Sequence, residues 1–301
     1  MVSCNIDDSK RPSNSRWSRG IFPYIRVLKP RETVLLTFIG LCSGLVAGAS
    51  IEHFEIGRIL LATLALLLGN GGTNGLTNYI DRDLDARMER VRHRPLPSKQ
   101  IDPPQKMLPW AISLVIAGLI IAWFLHWLCF TFAAAGVIVA ITFRKRVTCV
   151  FPQGALAGCA PVFIGYTAIS KDVDLTLLFL CLLITIWIPL HVWSLMISHR
   201  DDYRQAGITY FPLSLEVKDS VKMLPVLAVL LVALSLALYF VGHFHWLYLA
   251  TACFMGILTI TSTTRLIYRK LSSESWKIYK LTAFPYLGIL FLAMALDVWL
   301  L

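Results

Sequence analysis

The chain has little charge, few acidic residues and no paired cysteine motif. Of its 301 residues, 15% are charged and 56% are hydrophobic, with 18 Asp and Glu against 28 Lys and Arg. Soluble domains carry more charge, so this composition argues against one and favours a polytopic membrane protein. The seven cysteines include no Cys-x-x-Cys pair, so neither a disulfide framework nor a zinc site is indicated.

An apolar run is also missing from the first 32 residues, which are rich in Arg, Ser, Asp and Pro. A cleavable signal peptide contains such a run, so we expect residues 1–32 to form a polar cytoplasmic tail. We expect residues 33–301 to form a single polytopic domain. It contains nine apolar segments, most of them close to the ~20 residues that cross a bilayer: 33–50, 58–80, 107–125, 127–143, 150–169, 175–197, 221–242, 246–264 and 282–300.

The net charge of +10 follows membrane topology rather than a nucleic-acid site. Lys and Arg occupy the N-terminal tail and alternate loops, and the two exceptions are Arg58 and Lys171. Nine helices would place these basic segments on one side of the membrane. By the positive-inside rule, that side is cytoplasmic, so we expect a cell-membrane protein with its N-terminus inside and its C-terminus outside.

The most informative stretch follows the second apolar segment directly. From residue 78 it reads Asn-Tyr-Ile-Asp-Arg-Asp-Leu-Asp-Ala-Arg-Met-Glu-Arg-Val-Arg-His-Arg-Pro-Leu. On a helix, Asn74, Asn78, Asp81 and Asp85 share one face, and Asp83 lies on the opposite face. Carboxylates and amides on one stripe can hold a divalent cation, and nearby arginines can bind an anion. The pattern indicates a magnesium–diphosphate site.

A plainer interpretation is a solvated helix end, in which the aspartates only neutralise neighbouring arginines. Two observations favour the functional one. Asn74 and Asn78 lie within the apolar segment, where polar groups need partners. A second acidic helix end with the same four-residue spacing, Ser198 and Asp202, occupies a matching place in the other half of the chain.

Other polar or glycine-rich stretches have two interpretations. His191, about two turns before Ser198, is either a helix–helix hydrogen-bonding residue or a ligand. The glycine-rich run 69–75 predicts close helix packing, because it lacks the lysine and the preceding strand of a phosphate-binding loop. The run 154–166 predicts a tightly packed helix kinked by proline, or room for a flat substrate. Lys145 belongs to a basic cluster that would bind diphosphate if it faces the aspartates.

Together these motifs resemble the UbiA superfamily of intramembrane prenyltransferases and, within it, the protoheme IX farnesyltransferase (heme O synthase) family. The likeness is carried by Asn78, Asp81 and Asp85, continued by Met88-Glu89-Arg90 and Arg94-Pro95-Leu96. Three further segments agree: 158–166, Pro189-Leu190-His191 with Asp202-Tyr203, and 206–213. The chain departs from the family pattern at Thr77, Leu190, Ser198 and His199.

The resemblance implies an all-α membrane protein with nine transmembrane helices around a central cavity, the UbiA-like prenyltransferase fold. It also implies a Mg²⁺-dependent transferase that moves the farnesyl group of farnesyl diphosphate to the vinyl group of heme B, giving heme O. Asp81, Asp85 and Asp202 would bind Mg²⁺ and act in catalysis together with Arg94. The predicted substrate-binding residues are Asn74, Asn78, Arg90, Lys145, Tyr166, His191 and Tyr203.

Two other functions are alternatives to this one. A UbiA-type enzyme with a quinone-precursor, aromatic or ether-lipid acceptor would lack the Met-Glu-Arg continuation and the Pro-x-His step. A heme or lipid transporter would place buried charges along a path through the membrane, whereas here the carboxylates cluster at one face. The sequence leaves prenyl length and oligomeric state open.

Overall fold

The computed structural model describes residues 20–49, 51, 54–143, 153–269 and 272–301, and within these ranges it is helical, with no strand. The remaining positions, Lys145 among them, lie outside the described residues. The helices are α1 (Phe22–Val27), α2 (Pro30–Gly48), α3 (Ile56–Asp85), α4 (Met107–Leu125), α5 (Trp127–Thr142), α6 (Ala160–Ser170), α7 (Leu175–Ser198), α8 (Arg200–Gln205), α9 (Val217–Val241), α10 (Trp246–Arg269), α11 (Ser272–Ala283) and α12 (Pro285–Leu300).

The apolar segments of the sequence correspond to these helices. Among the described residues, seven helical stretches are long and apolar enough to cross a membrane, with α11 and α12 counted as one, while α5 and α6 are shorter apolar helices. The predicted third and fourth segments are separate helices, because His126 between them has an extended backbone with φ −168°. The all-α class is confirmed; of the nine predicted spans, seven are long and apolar enough to cross a membrane in the part described, and the other two correspond to the shorter helices α5 and α6.

The ends of two apolar segments, 58–80 and 282–300, do not coincide with the ends of their helices. Helix α3 continues past the apolar segment 58–80 to Asp85, in agreement with the expected helical face of Asn74, Asn78, Asp81 and Asp85, and its charged last turns suit a helix emerging from the apolar layer. The last predicted span begins at residue 282, but helix α11 already starts at Ser272. A break at Phe284 follows because Pro285 has no backbone N–H to continue the ladder.

Small residues allow the helices to cross closely. At the α2–α6 crossing, a Cβ on Gly165 would lie 1.9 Å from the carbonyl oxygen of Gly40. On α3, a Cβ on Gly72 would lie 2.7 Å from the carbonyl oxygen of Ala111 in α4. The glycine runs therefore serve close packing, as their composition predicts.

Large apolar side chains cover the outer surface as well as the interior. Leu60, Phe124, Val229 and Phe254 are each more than half exposed, although they lie in the middle or at the end of long apolar helices. Exposing such an apolar surface to water is unfavourable, whereas contact with lipid hydrocarbon is not. The chain is an integral membrane protein.

Polar contacts mark the two ends of the bundle. At one end, Arg58 near the start of α3 donates to the carbonyls of Ala168 and Leu125, which lie at the ends of α6 and α4. The other end, which we call the charged end, comprises residues 81–106 and 199–216. Arg58 and Asp85 are 27 positions apart on helix α3. Because an α-helix rises about 1.5 Å per residue, the two ends of the bundle are about 40 Å apart.

Candidate active site

The last two turns of α3 bury two carboxylates. Asp81 is 4% exposed and Asp85 is 1% exposed, and a spacing of four residues places them one turn apart on the same face. Asp83 points away: its side chain is 78% exposed and its carboxylate pairs with Arg82 at 3.3 Å. The expected division between a buried pair and an outward aspartate agrees with the structure.

The two asparagines of this face attach neighbouring helices to α3. Nδ2 of Asn78 donates to the carbonyl of Val27 in α1 at 2.5 Å, and Nδ2 of Asn74 donates to Oγ1 of Thr33 in α2 at 3.1 Å. Oδ1 of Asn78 is buried and accepts no hydrogen bond from the described residues. A buried acceptor beside two carboxylates is chemically suited to a hard cation.

Arg94 reaches back to this carboxylate face. The chain after α3 forms consecutive turns, in which Met88 and Val91 are buried and anchor the loop. As a result, Nη1 of Arg94 donates to Oδ2 of Asp85 at 2.9 Å. The arginine and the carboxylate that the sequence assigned to one site are therefore in direct contact.

The second acidic helix end contacts the same loop. The carboxylate of Asp202 accepts the backbone N–H groups of Glu89 at 2.7 Å and Arg90 at 3.3 Å. Nη2 of Arg90 donates to the hydroxyl of Tyr203 at 3.3 Å, while its Nε is buried without a partner among the described residues. The matching motifs of the two halves do meet, and Asp202 joins them by capping the backbone of the first motif.

Asp202 and the α3 carboxylates do not form a compact ligand set in this structure. Within the described ranges, no group of three His, Cys, Asp or Glu side chains is arranged to hold a metal ion. Ser198, the counterpart of Asp81 in the second motif, bonds to Nδ1 of His199 at 2.7 Å. Burial and the positive charge of Arg90 lower the pKa of His199.

A basic cavity of about 200 Å³ lies beside Asp85. Its size suits a phosphate or diphosphate group, since pockets for whole ligands span roughly 300–1,000 Å³. Four basic residues line it, Arg26, Lys29, His93 and Arg94, and the other lining residues are Val27, Asn78, Asp85, Pro95, Leu96 and Pro97.

His191 is part of an aromatic stack between α7 and α11. Its ring lies parallel to Trp187, with centroids 4.8 Å apart, and is also stacked on Tyr279 at 4.6 Å. Tyr279 in turn stacks on Trp276 at 4.8 Å. Nδ1 of His191 bonds to Oγ1 of Thr282 at 3.2 Å. Both faces of the imidazole are therefore covered, and only its edge can reach a ligand.

Two predicted site residues do not join this arrangement. Tyr166 lies toward the end of α6 near Arg58, where its hydroxyl donates to Oδ2 of Asp174 at 2.6 Å. Because that end of the bundle is about 40 Å from Asp85 along α3, the placement of Tyr166 does not support a role in binding the reacting groups. Lys145 lies outside the described residues and stays a prediction.

The structure also adds residues that the motifs do not include. Arg26 and Lys29 come from α1 and the start of α2, Glu32 from the first turn of α2, and Tyr279 from α11. The sequence could have indicated Arg26, Lys29 and Glu32, because they directly precede the first predicted membrane span. Residues at that position lie on the same aqueous side as the basic loops. Tyr279 gave no signal, since it enters only through the packing of α11 on α7.

The sequence of this chain matches one family of known proteins. Residues 34–294 match the model of the UbiA prenyltransferase family. The chain is 34% identical to the protoheme IX farnesyltransferase of Desulforudis audaxviator, over 92% of this chain and 88% of that protein. It is 31% identical to protoheme IX farnesyltransferase 1 of Picrophilus torridus, over 89% of this chain and 91% of that one.

Solved structures share the fold at lower identity. A UbiA homolog from Aeropyrum pernix K1 superposes with a TM-score of 0.70 and 18% identity, covering 89% of this chain and 98% of that one. A UbiA homolog from Archaeoglobus fulgidus bound to GPP and Mg²⁺ superposes with a TM-score of 0.62 and 14% identity, covering 90% of this chain and 99% of that one. These two likenesses concern the fold alone.

Proposed function

Because the chain belongs to the UbiA prenyltransferase family, we propose that it transfers the farnesyl group of farnesyl diphosphate to the vinyl group of heme B. Water completes the reaction, and the products are heme O and diphosphate. Two relatives named protoheme IX farnesyltransferase, more than 30% identical over most of both chains, support this acceptor. The observation that carries the chemistry is the buried Asp81–Asp85 face in contact with Arg94.

The donor atoms at the end of α3 fit Mg²⁺. Asp81 and Asp85 supply carboxylate oxygens, and the unpaired Oδ1 of Asn78 supplies a neutral one, which is the ligand set that hard divalent cations prefer. When bound, Mg²⁺ would neutralise negative charge on the diphosphate. Asp202 remains the proposed ligand for a second ion, although its carboxylate caps the Glu89–Arg90 backbone in this structure.

The arginines would stabilise the diphosphate as it departs. Arg94 already touches Asp85, and a guanidinium can bind a carboxylate and a phosphate oxygen at the same time through different N–H groups. The buried Nε of Arg90 is a second donor in need of an acceptor. Together with the cations around the basic cavity, these groups would act on charge that grows as the C1–O bond breaks.

The aromatic stack suits the acceptor side of the reaction. His191 is held between Trp187 and Tyr279, and its Nδ1 contacts Thr282, so Nε2 is the atom directed to a ligand. We assign it to heme, either as a ligand of the iron or as a hydrogen-bond donor to a propionate. Packed rings also restrict water around the farnesyl cation, which limits its premature hydrolysis.

The orientation in the membrane follows from charge. Lys and Arg are concentrated at the charged end, so we place this end, the active site and the N-terminus in the cytoplasm. The C-terminus then lies outside, and the membrane is the cell membrane.

One assay tests the function and separates it from the alternatives. Purified protein in lipid is incubated with Mg²⁺, farnesyl diphosphate and heme B, and the products are analysed by mass spectrometry. We expect a farnesylated, hydroxylated heme, dependent on Mg²⁺. Prenylation of a quinone precursor or an ether lipid, without prenylation of heme, would reassign the acceptor. Absence of any prenyl transfer would contradict the enzyme assignment.

A further inference from the structure

The imidazole of His191 is held by its neighbours in one orientation. Its plane lies between the rings of Trp187 and Tyr279, so it cannot turn without displacing one of them. Its hydrogen bond to the described residues joins Nδ1 to Oγ1 of Thr282 at 3.2 Å. Thr282 is fully buried in the last turn of α11, so this contact joins fixed atoms on both sides.

The hydroxyl of Thr282 already has acceptors for its proton. Oγ1 lies 2.8 Å from the carbonyl oxygen of Ile278 and 3.2 Å from that of Tyr279, both in the preceding turn of α11. A carbonyl oxygen only accepts, so the hydroxyl is the donor in these contacts. A hydroxyl has one proton and two lone pairs. Toward His191 it is therefore an acceptor, and Nδ1 of the imidazole is the donor.

This assignment decides what the other ring nitrogen of His191 can do. A neutral imidazole carries one N–H, and its second nitrogen holds a lone pair. With the proton on Nδ1, Nε2 accepts a hydrogen bond or binds a metal, and it cannot donate. Nε2 forms no hydrogen bond with the described residues and is not a buried atom, and the residue is partly exposed. The Nε2 edge is therefore open to a ligand.

Heme B offers two kinds of contact to such an edge. A propionate oxygen needs a hydrogen-bond donor, whereas the iron needs a lone pair. The nitrogen left open by the Thr282 contact supplies the lone pair. Histidines that bind metal ions usually donate their other ring N–H to a neighbouring acceptor, which fixes the tautomer and the ring orientation. Thr282 has the place of that acceptor.

We propose that Thr282 is a positioning residue that keeps the proton of His191 on Nδ1, so that Nε2 binds the iron of heme B and not a propionate. This inference rests on the proposed function. An imidazole bound to heme iron stands perpendicular to the porphyrin plane, and the plane of this imidazole is fixed by Trp187 and Tyr279. Iron ligation would therefore fix the tilt of the porphyrin, whereas a single propionate hydrogen bond would leave it free.

The first measurement determines the tautomer in the absence of heme. Protein labelled at the histidine nitrogens is studied in lipid by solid-state NMR, and the His191 signals are identified by their loss in His191→Ala. We expect the wild type to carry the proton on Nδ1. In Thr282→Val, which preserves the shape of the side chain but removes the acceptor, we expect the form protonated on Nε2 to predominate.

The second measurement is a titration with ferric heme B, followed by absorbance and electron paramagnetic resonance. We expect an imidazole–iron spectrum in the wild type and in Thr282→Ser, which retains the hydroxyl. In Thr282→Val the heme affinity should fall at least ~10-fold, while farnesyl diphosphate binding stays unchanged. Thr259→Val is the matched control and should bind heme normally. Thr259 is also fully buried, and its hydroxyl also donates to a carbonyl one turn earlier, at 2.8 Å.

Three results would overturn the inference. They are a wild-type His191 protonated on Nε2, a heme spectrum that His191→Ala does not change, and wild-type heme affinity in Thr282→Val. If Thr282→Val does not accumulate, the first two measurements still test the inference on the wild type. A wild type that farnesylates heme without an imidazole–iron bond would refute this inference alone. One that ligates the iron but transfers no farnesyl group would refute the proposed function alone.

Discussion

Asp85→Asn removes a buried charge while it preserves the size of the side chain. Asp85 is 1% exposed, and its Oδ2 accepts a hydrogen bond of 2.9 Å from Arg94. A charge-assisted hydrogen bond contributes roughly 1.5–3 kcal/mol to stability. The side chain of Arg94 is 29% exposed, and solvent screening reduces the contribution, so we expect a loss of about 1–1.5 kcal/mol.

The expected loss of activity is larger than the loss of stability. The variant lacks one proposed metal ligand and the carboxylate that positions Arg94. We expect farnesyl transfer to fall at least ~100-fold, which corresponds to about 2.7 kcal/mol in the activation free energy. Since folded proteins are stable by roughly 5–15 kcal/mol, the destabilisation leaves nearly all of the protein folded. Unfolding therefore cannot account for a loss of this size.

The measurement is farnesyl transfer at several Mg²⁺ concentrations, with thermal unfolding of the same samples. Asp83→Asn is the control, because Asp83 is two positions away on the opposite face and its side chain is 78% exposed. We expect the control to keep activity within about twofold, as exposed ion pairs contribute little. If Asp85→Asn retains more than a third of the wild-type rate at saturating Mg²⁺, the assignment of the carboxylate face is wrong.

Three further variants test other parts of the structure. His191→Ala should weaken heme binding at least tenfold in an absorbance titration and leave farnesyl diphosphate binding unchanged, because the His191 edge is assigned to heme; an unchanged heme titration would restrict His191 to helix packing. Asp202→Asn should keep more activity than Asp202→Ala, since an amide oxygen can still accept the backbone N–H of Glu89 or Arg90; equal losses in both variants would show that the cap adds nothing measurable beyond the proposed metal-ligand role of the carboxylate. Gly165→Val should lower the free energy of unfolding by about 3 kcal/mol or prevent accumulation, because even a Cβ would lie 1.9 Å from the Gly40 carbonyl, and wild-type thermal stability would contradict the close α2–α6 crossing.

Much of the fold could be predicted from local pattern. Runs of apolar residues located the membrane helices to within a few positions, apart from the starts of α6 and α11, because hydrocarbon requires long uninterrupted helices. The shared face of Asn78, Asp81 and Asp85 follows from helical periodicity, and their burial agrees with it. The glycine runs predicted close packing, since residues without a large side chain are what such crossings need.

The sequence does not determine features that depend on depth in the bundle. Tyr166 resembles a family motif residue, but its position along α6 places it beside Asp174 and near Arg58, at the end away from Asp85. The resemblance to a motif does not state how far along the membrane normal a residue lies. That distance is set by how α6 packs in parallel with α2.

What the sequence determined by itself is a membrane protein with a polar carboxylate stripe at a helix end, a set of basic loops on one side, and a resemblance to prenyltransferases. These properties depend on residues within a few turns of each other, or on composition. Tertiary structure alone decided that Asp202 caps the backbone of Glu89 and Arg90 and that Tyr279 stacks on His191. Each of these contacts joins helices far apart in the chain, and their meeting depends on helix packing, which no local periodicity encodes.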